Sequence, residues 1–146
     1  MGALKQQAAK LRLEDSVRFT GMVAEEEKDA ILRDAHLLLH TSVREGWGLN
    51  VVEANCNGTP AAVYPVAGLR ESTLHDRTGL VATHETPEAL ADQIFGLLGD
   101  DPRYQRYRLG AWERAKTMHW DFILPKACDW FEARARGEKA GPEMIP

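Results

Sequence analysis

Ser42-Val43-Arg44-Glu45-Gly46-Trp47-Gly48-Leu49-Asn50-Val51-Val52-Glu53 joins two segments of opposite character. Before it, Leu37 to Thr41 is a mainly apolar run of strand length. After it, Leu49 to Cys56 reads as a helix that closes at Asn57-Gly58. A buried strand, a turn with two glycines and a helix form the repeating unit of a parallel sheet. Gly46 and Gly48 let a ligand approach the backbone, and the helix behind them aims free N–H groups at it. The natural guest of such a terminus is an anion, most simply a phosphate.

The same alternation runs outward in both directions. Val17-Arg18-Phe19-Thr20 carries a short strand signal stopped by Gly21. Ala24 to Asp34 follows as a helix whose first turn holds Glu25, Glu26 and Glu27. Ala61 to Tyr64 and Gly79 to Thr83 are further strand candidates, with a short helix expected over Leu69 to Leu74 between them. From Thr86 onward the pattern is helical. Thr86-Pro87-Glu88 combines a cap, a first-position proline and an early acid, and Leu90, Ile94, Leu97 and Leu98 make an apolar stripe. Asp101 to about Met118 and Asp121 to about Arg136 are two more helices. The expected fold is α/β: a Rossmann-like parallel sheet of about four strands covered by helices. Ligands of such sheets bind at the carboxyl ends of the strands.

Composition narrows the function. The 146 residues suit one domain, and 18 Lys+Arg against 22 Asp+Glu give a net charge of −4. No basic excess points to nucleic acid, and no apolar run approaches the roughly 20 residues of a membrane span. The amino terminus lacks the apolar core of an export signal, so a cytoplasmic location is the expectation. Cys56 and Cys128 have no metal or disulfide spacing, and His36, His40, His75, His84 and His119 are scattered, so packed or surface roles are expected for them.

Glu45 and Glu53 flank the turn. The spacing alone is uninformative, since roughly three acid pairs eight apart arise by chance at this composition. Their position around a Gly-x-Gly turn is what matters: acceptor-only carboxylates there suit the hydroxyls of a sugar or ribose. On physical grounds two readings stay open, a nucleotide or sugar-phosphate site and a plain strand–helix connection.

The segment Glu45 to Ala54 closely resembles the E-x7-E motif of retaining glycosyltransferases of the GT-B fold, family 4. Further pieces fall in the family's order: Val17 to Gly21, His40-Thr41-Ser42, Gly58 to Val63, Ala67 to Glu71, Asp76 to Val81, and Trp120-Asp121. The likeness runs from about Leu11 to Phe131. It implies a donor site for a nucleoside-diphosphate sugar, with Glu45 as the catalytic residue holding hydroxyls of the donor sugar. Gly46, Trp47, Gly48 and Leu49 would meet the sugar and diphosphate through backbone N–H groups, and Glu53 would bind the ribose. Gly21, Met22 and Val23 would lie against the base, and Ser42 would approach the phosphates. Trp47 stands where phenylalanine is common, and Ala67 replaces a frequent glycine.

The resemblance also implies that no metal or other cofactor is needed; the chain has no Asp-x-Asp. It covers only a partial C-terminal domain, residues 1–136, with 137–146 as a flexible tail. On this resemblance the acceptor-binding N-terminal domain, two donor-domain strands and the Arg-x4-Lys pair that clamps the diphosphate are expected to be missing from these residues. Lys5 and Lys10 have similar spacing but lie on an expected helix before Val17, so the clamp is not assigned to them. In the family's sheet order the absent strands separate the Val17 strand from the Leu37 strand, so the chain is expected to close the gap by new pairing or to fill it as a homodimer. The expected function is the donor-binding half of a sugar transferase, inactive alone. The alternative is a non-catalytic nucleotide-binding or oligomerising module. Trp112, Trp120, Trp130 and Phe131 are expected to pack helices together, and Cys56 to pack closely.

Overall fold

A computed structural model of the protein describes residues 2–138. The expected tail is therefore seen only at Gly137 and Glu138, and residues 139–146 lie outside the described part. The element order is α1 (Gly2–Lys10), α2 (Glu25–Asp34), β1 (Leu38–His40), α3 (Leu49–Cys56), β2 (Ala61–Val63), α4 (Ala67–Ser72), β3 (Gly79–Val81), α5 (Pro87–Leu98), α6 (Asp101–Thr117) and α7 (Trp120–Ala135). Lys5 and Lys10 both fall on α1.

The three strands form one parallel sheet in the order β1-β2-β3, with Leu38 beside Ala61 and Ala61 beside Gly79. Parallel neighbours require crossovers, and here α3 and α4 supply them. β2 is central and fully buried, which explains its small Ala61-Ala62-Val63 sequence between helical layers. Side chains alternate between its faces. Ala62, Tyr64, Leu80 and Ala82 pack with Leu90 and Leu97 of α5 and Tyr104 and Tyr107 of α6. Ala61 and Val63 pack on the opposite side with Val51 of α3, Leu69 of α4 and Leu38 of β1. The second face is the one that carries the candidate site.

The parallel α/β architecture is as expected, but the sheet has three strands among the described residues. Val17 to Thr20 is not a strand. A strand exists only where a neighbour takes its hydrogen bonds, and the Val17 N–H is instead donated to the Leu13 carbonyl at 3.0 Å, closing a turn. The expected gap closure by new pairing also does not occur within the described chain: β1 pairs with β2 alone, and its outer edge is open.

α7 departs from expectation as well. Its apolar residues do not lock helices together: none is buried, and Trp120, Phe122, Leu124 and Phe131 are more than half exposed. Trp130 and Phe131 meet edge to face, with 5.1 Å between ring centroids, on the surface of that one helix. Trp112 on α6 is half exposed and lies under the Lys116 ammonium, 3.6 Å from its ring centroid. The physical reason is that the described chain presents no layer for α7 to pack on.

The turn before β3 is tied down from a distance. Asp76 sits in the left-handed region at φ 60°, where a short polar side chain is tolerated. Its Oδ1 accepts from the buried Tyr107 hydroxyl and, at 2.6 Å, from Arg103 Nη2. The tyrosine hydroxyl and the guanidinium hold the Asp76 carboxyl below its ordinary range. Burial and Asp76 push Tyr107 up to about 12. Removing the hydroxyl in Tyr107→Phe is expected to cost about 1 kcal/mol, or about 2–4 °C in Tm. Because the Asp76 value is lowered on folding, its contribution is complete above the ordinary carboxylate pKa of about 4 and is lost on acidification. The gap between wild type and Tyr107→Phe in thermal unfolding should therefore narrow below about pH 4. A gap that is constant from pH 7 to pH 3 would contradict the linkage.

Candidate functional site

The site is the turn from the carboxyl end of β1 to the amino end of α3. Ser42 shapes its entry: the hydroxyl donates to the Arg44 carbonyl at 2.7 Å and accepts from the Arg44 N–H at 3.4 Å. This local turn leaves Val43 and Arg44 exposed and turns the chain back toward the sheet. Ser42 thus spends its hydroxyl on the turn.

Glu45 is next, and both of its carboxylate oxygens have partners. Oε1 accepts from the Gly46 N–H at 2.9 Å, and Oε2 lies 3.3 Å from His40 Nε2. Gly46 itself faces open space, with nothing within 4 Å of where a Cβ would stand. Trp47 is half-buried. Gly48 has φ +82° and caps α3 from the left-handed region, and a Cβ there would meet Leu69 Cδ2 at 2.8 Å. The two glycines therefore do different work. Gly48 is required by the fold, whereas Gly46 leaves a clearing.

α3 begins with no capping side chain. Among the described residues the first amides of α3, at Leu49 and Asn50, therefore have no side-chain cap. The turn is held from below by α4, whose buried Gly68 has the Glu45 carbonyl oxygen and the Gly46 carbonyl within 2.5 Å of its missing Cβ. Glu53, one turn and more into α3, is exposed and pairs with Lys28 of α2 at 3.3 Å. Lys28 also holds Glu25 at 2.7 Å, and its ammonium pKa is raised, first by the hydrogen bond to Glu25 and also by Glu53.

Ser42, Glu45, Gly46, Trp47 and Gly48 share the turn, Leu49 opens α3, and Glu53 follows on that helix. Among the described residues no hydrogen bond or ion pair joins Gly21, Met22 and Val23 to the turn. They directly precede α2, which the Lys28–Glu53 pair fastens to α3. Gly21 has φ 67° and Met22 is fully exposed.

Sequence reasoning missed His40 and Lys28. Strand periodicity held the signal for His40, since it shares a face with Leu38, which packs toward α3. For Lys28 the signal was a lone base three residues after Glu25 in an acidic helix start. Each of the two carboxylates thus has a donor of its own from another element.

Away from this turn, Val52, Cys56, Trp112, Met118, Trp120 and Phe122 line an open apolar cavity of about 660 Å³. Cys56 is exposed rather than closely packed. Partial burial, Asp29 and Glu53 push its thiol pKa up, which makes it a weak nucleophile. Among the described residues no helix is long and apolar enough to cross a membrane.

Residues 2–114 match the protein family described as glycosyl transferases group 1. The D-inositol 3-phosphate glycosyltransferase of Corynebacterium glutamicum is 33% identical over 80% of this chain and 28% of its own length. The mannosylfructose-phosphate synthase of Agrobacterium fabrum is 30% identical over 92% of this chain and 30% of its own. Among solved structures, the sucrose-phosphate synthase of Thermosynechococcus elongatus superposes with a TM-score of 0.82 at 23% identity. That match covers 94% of this chain and 35% of that one. Anabaena HepE in complex with UDP-glucose gives a TM-score of 0.76 at 24% identity, over 90% and 36%. The chain thus spans about a third of the length of these four proteins.

Proposed function

The chain belongs to the group 1 glycosyl transferases, and from that membership we propose that its β1–α3 rim is the donor half of a sugar-transfer site. The complete enzyme would move a sugar from a nucleoside diphosphate to a hydroxyl acceptor, keeping the anomeric configuration. Glu45 would hold hydroxyls of the donor sugar. The amides around Gly46 and the uncapped start of α3 would take the diphosphate. Glu53 would hold the ribose, and Gly21 to Val23 would flank the base. The observation that carries this reading is the clearing at Gly46, open within 4 Å and placed between a held carboxylate and an uncapped helix start.

The roles follow from elementary chemistry. Charge accumulates on the diphosphate as the sugar leaves, and fixed backbone dipoles at a helix terminus stabilise it there. On this proposal the helix terminus does the work for which other transferases use a metal. The chain alone would be a weak donor binder without transfer activity, because it spans about a third of the length of the relatives reported above.

The test is a nitrogen–proton NMR titration of the chain with UDP, GDP and their glucose and mannose conjugates. Shifts are expected at Gly21–Val23 and Glu45–Glu53, stronger for one base. Shifts that map instead to the cavity around Trp112 and Trp120, or no shifts at millimolar ligand, would refute the donor-site reading for this chain.

A further inference from the structure

Resting on the donor-site reading, we propose that His40 is a positioning residue for Glu45: a neutral imidazole, protonated on Nε2, that aims the carboxylate into the clearing. Three observations lead there. His40 Nε2 stands 3.3 Å from Glu45 Oε2, while the Gly46 amide holds the other oxygen at 2.9 Å. The imidazole is largely buried, with 14% of its side chain exposed. Its Nδ1 is buried without a hydrogen-bond partner among the described residues.

The last point selects the tautomer. A carboxylate accepts only, so Nε2 must carry the proton toward Glu45. A neutral ring then leaves a bare lone pair on Nδ1. A charged ring would instead bury a second N–H with no acceptor, which is the costlier arrangement. His40 therefore serves as a fixed neutral donor.

Such a donor has a purpose at this position. Glu45 stands beside the proposed place of a diphosphate, which repels it, and the Gly46 amide alone fixes one oxygen. The second donor stops the carboxylate from swinging about that single bond. An ionised carboxylate has about four lone-pair positions; two are used here, and one remains on each oxygen. The free pair fits two hydroxyls of one sugar ring, so His40 would act on the sugar and not on the nucleotide.

The experiment compares the unaltered chain with His40→Leu and His40→Gln. Leucine keeps the apolar bulk and removes the donor, whereas the glutamine amide reaches the place of Nε2 and restores it. In the unaltered chain, ring nitrogen NMR should assign the proton to Nε2. In His40→Leu the Gly46 amide proton should move toward the shift of a free glycine amide, and His40→Gln should reverse most of that change. The affinity gain of UDP-glucose over UDP should vanish in His40→Leu with the UDP Kd kept within about twofold, and return in His40→Gln. A ring protonated on Nδ1, or a Gly46 shift unchanged in His40→Leu, would overturn the proposal. If neither nucleotide binds the unaltered chain, the donor-site reading falls and the sugar-directed role with it. The ring tautomer and Gly46 shift then show separately whether the contact to Glu45 exists.

Discussion

Gly68→Ala is expected to lower stability by about 3 kcal/mol and to dismantle the β1–α3 rim. The new Cβ would stand 2.5 Å from the Glu45 carbonyl oxygen and from both atoms of the Gly46 carbonyl. These are backbone atoms, so no side-chain rotation relieves the overlap. Gly68 lies inside α4 with no positive φ. The penalty is therefore steric and not conformational, and alanine's better helix propensity offsets only about 1 kcal/mol of it. Either α4 withdraws from the core at Leu69 or the Glu45–Gly46 turn lifts off, and each outcome moves the carboxylate that His40 and the Gly46 amide hold. At about 2–4 °C per kcal/mol for a chain of this size, the loss in Tm should be about 6–12 °C. Gly46→Ala is the control, since its Cβ enters open space and should leave Tm within a degree or two. Urea unfolding and amide spectra of both variants decide the matter. Equal midpoints for the two would show that α4 does not support the turn.

Glu53→Ala is expected to abolish discrimination between a nucleotide and its 2′-deoxy analogue. A carboxylate that accepts from ribose hydroxyls makes charge-assisted hydrogen bonds, each contributing about 1.5–3 kcal/mol. The unaltered chain should therefore prefer UDP, or whichever diphosphate the titration selects, over the 2′-deoxy form by about tenfold or more. The substitution should remove that preference with little effect on folding. Glu53 is exposed, and Lys28 keeps its shorter bond to Glu25 when Glu53 is gone, so no buried charge is stranded. Calorimetric Kd values for both nucleotides on both chains test this. Equal affinities in the unaltered chain would remove Glu53 from the ribose site.

Much of this molecule could be read before any coordinates. The α3 helix has the limits that Leu49 and the Asn57-Gly58 stop implied, and β1, β2 and β3 sit within the expected apolar runs. The Thr86 cap is present: its hydroxyl accepts from the Ala89 N–H at 3.3 Å, with Pro87 at the first helical position. These signals are local, and each acts through bonds made within a few residues. The short helix expected over Leu69 to Leu74 instead runs from Ala67 to Ser72. Its start is placed by the fit of Gly68 against the Gly46 carbonyl, a contact across 22 positions of sequence.

The α/β alternation, the glycine turn with its flanking acids, and the family were all legible in the chain without its fold. Each is written in residue type and spacing, which periodicity and backbone stereochemistry turn directly into local structure. Tertiary structure alone decided whether a β-prone segment is a strand and which groups hold the acids. Val17 to Thr20 has the residue types of a strand and, among the described residues, no partner to make it one. Glu45 and Glu53 look alike in the sequence, yet folding gives one a buried imidazole from β1 and the other a lysine from α2. Such pairings depend on the approach of elements distant in the chain, and local spacing carries no record of them.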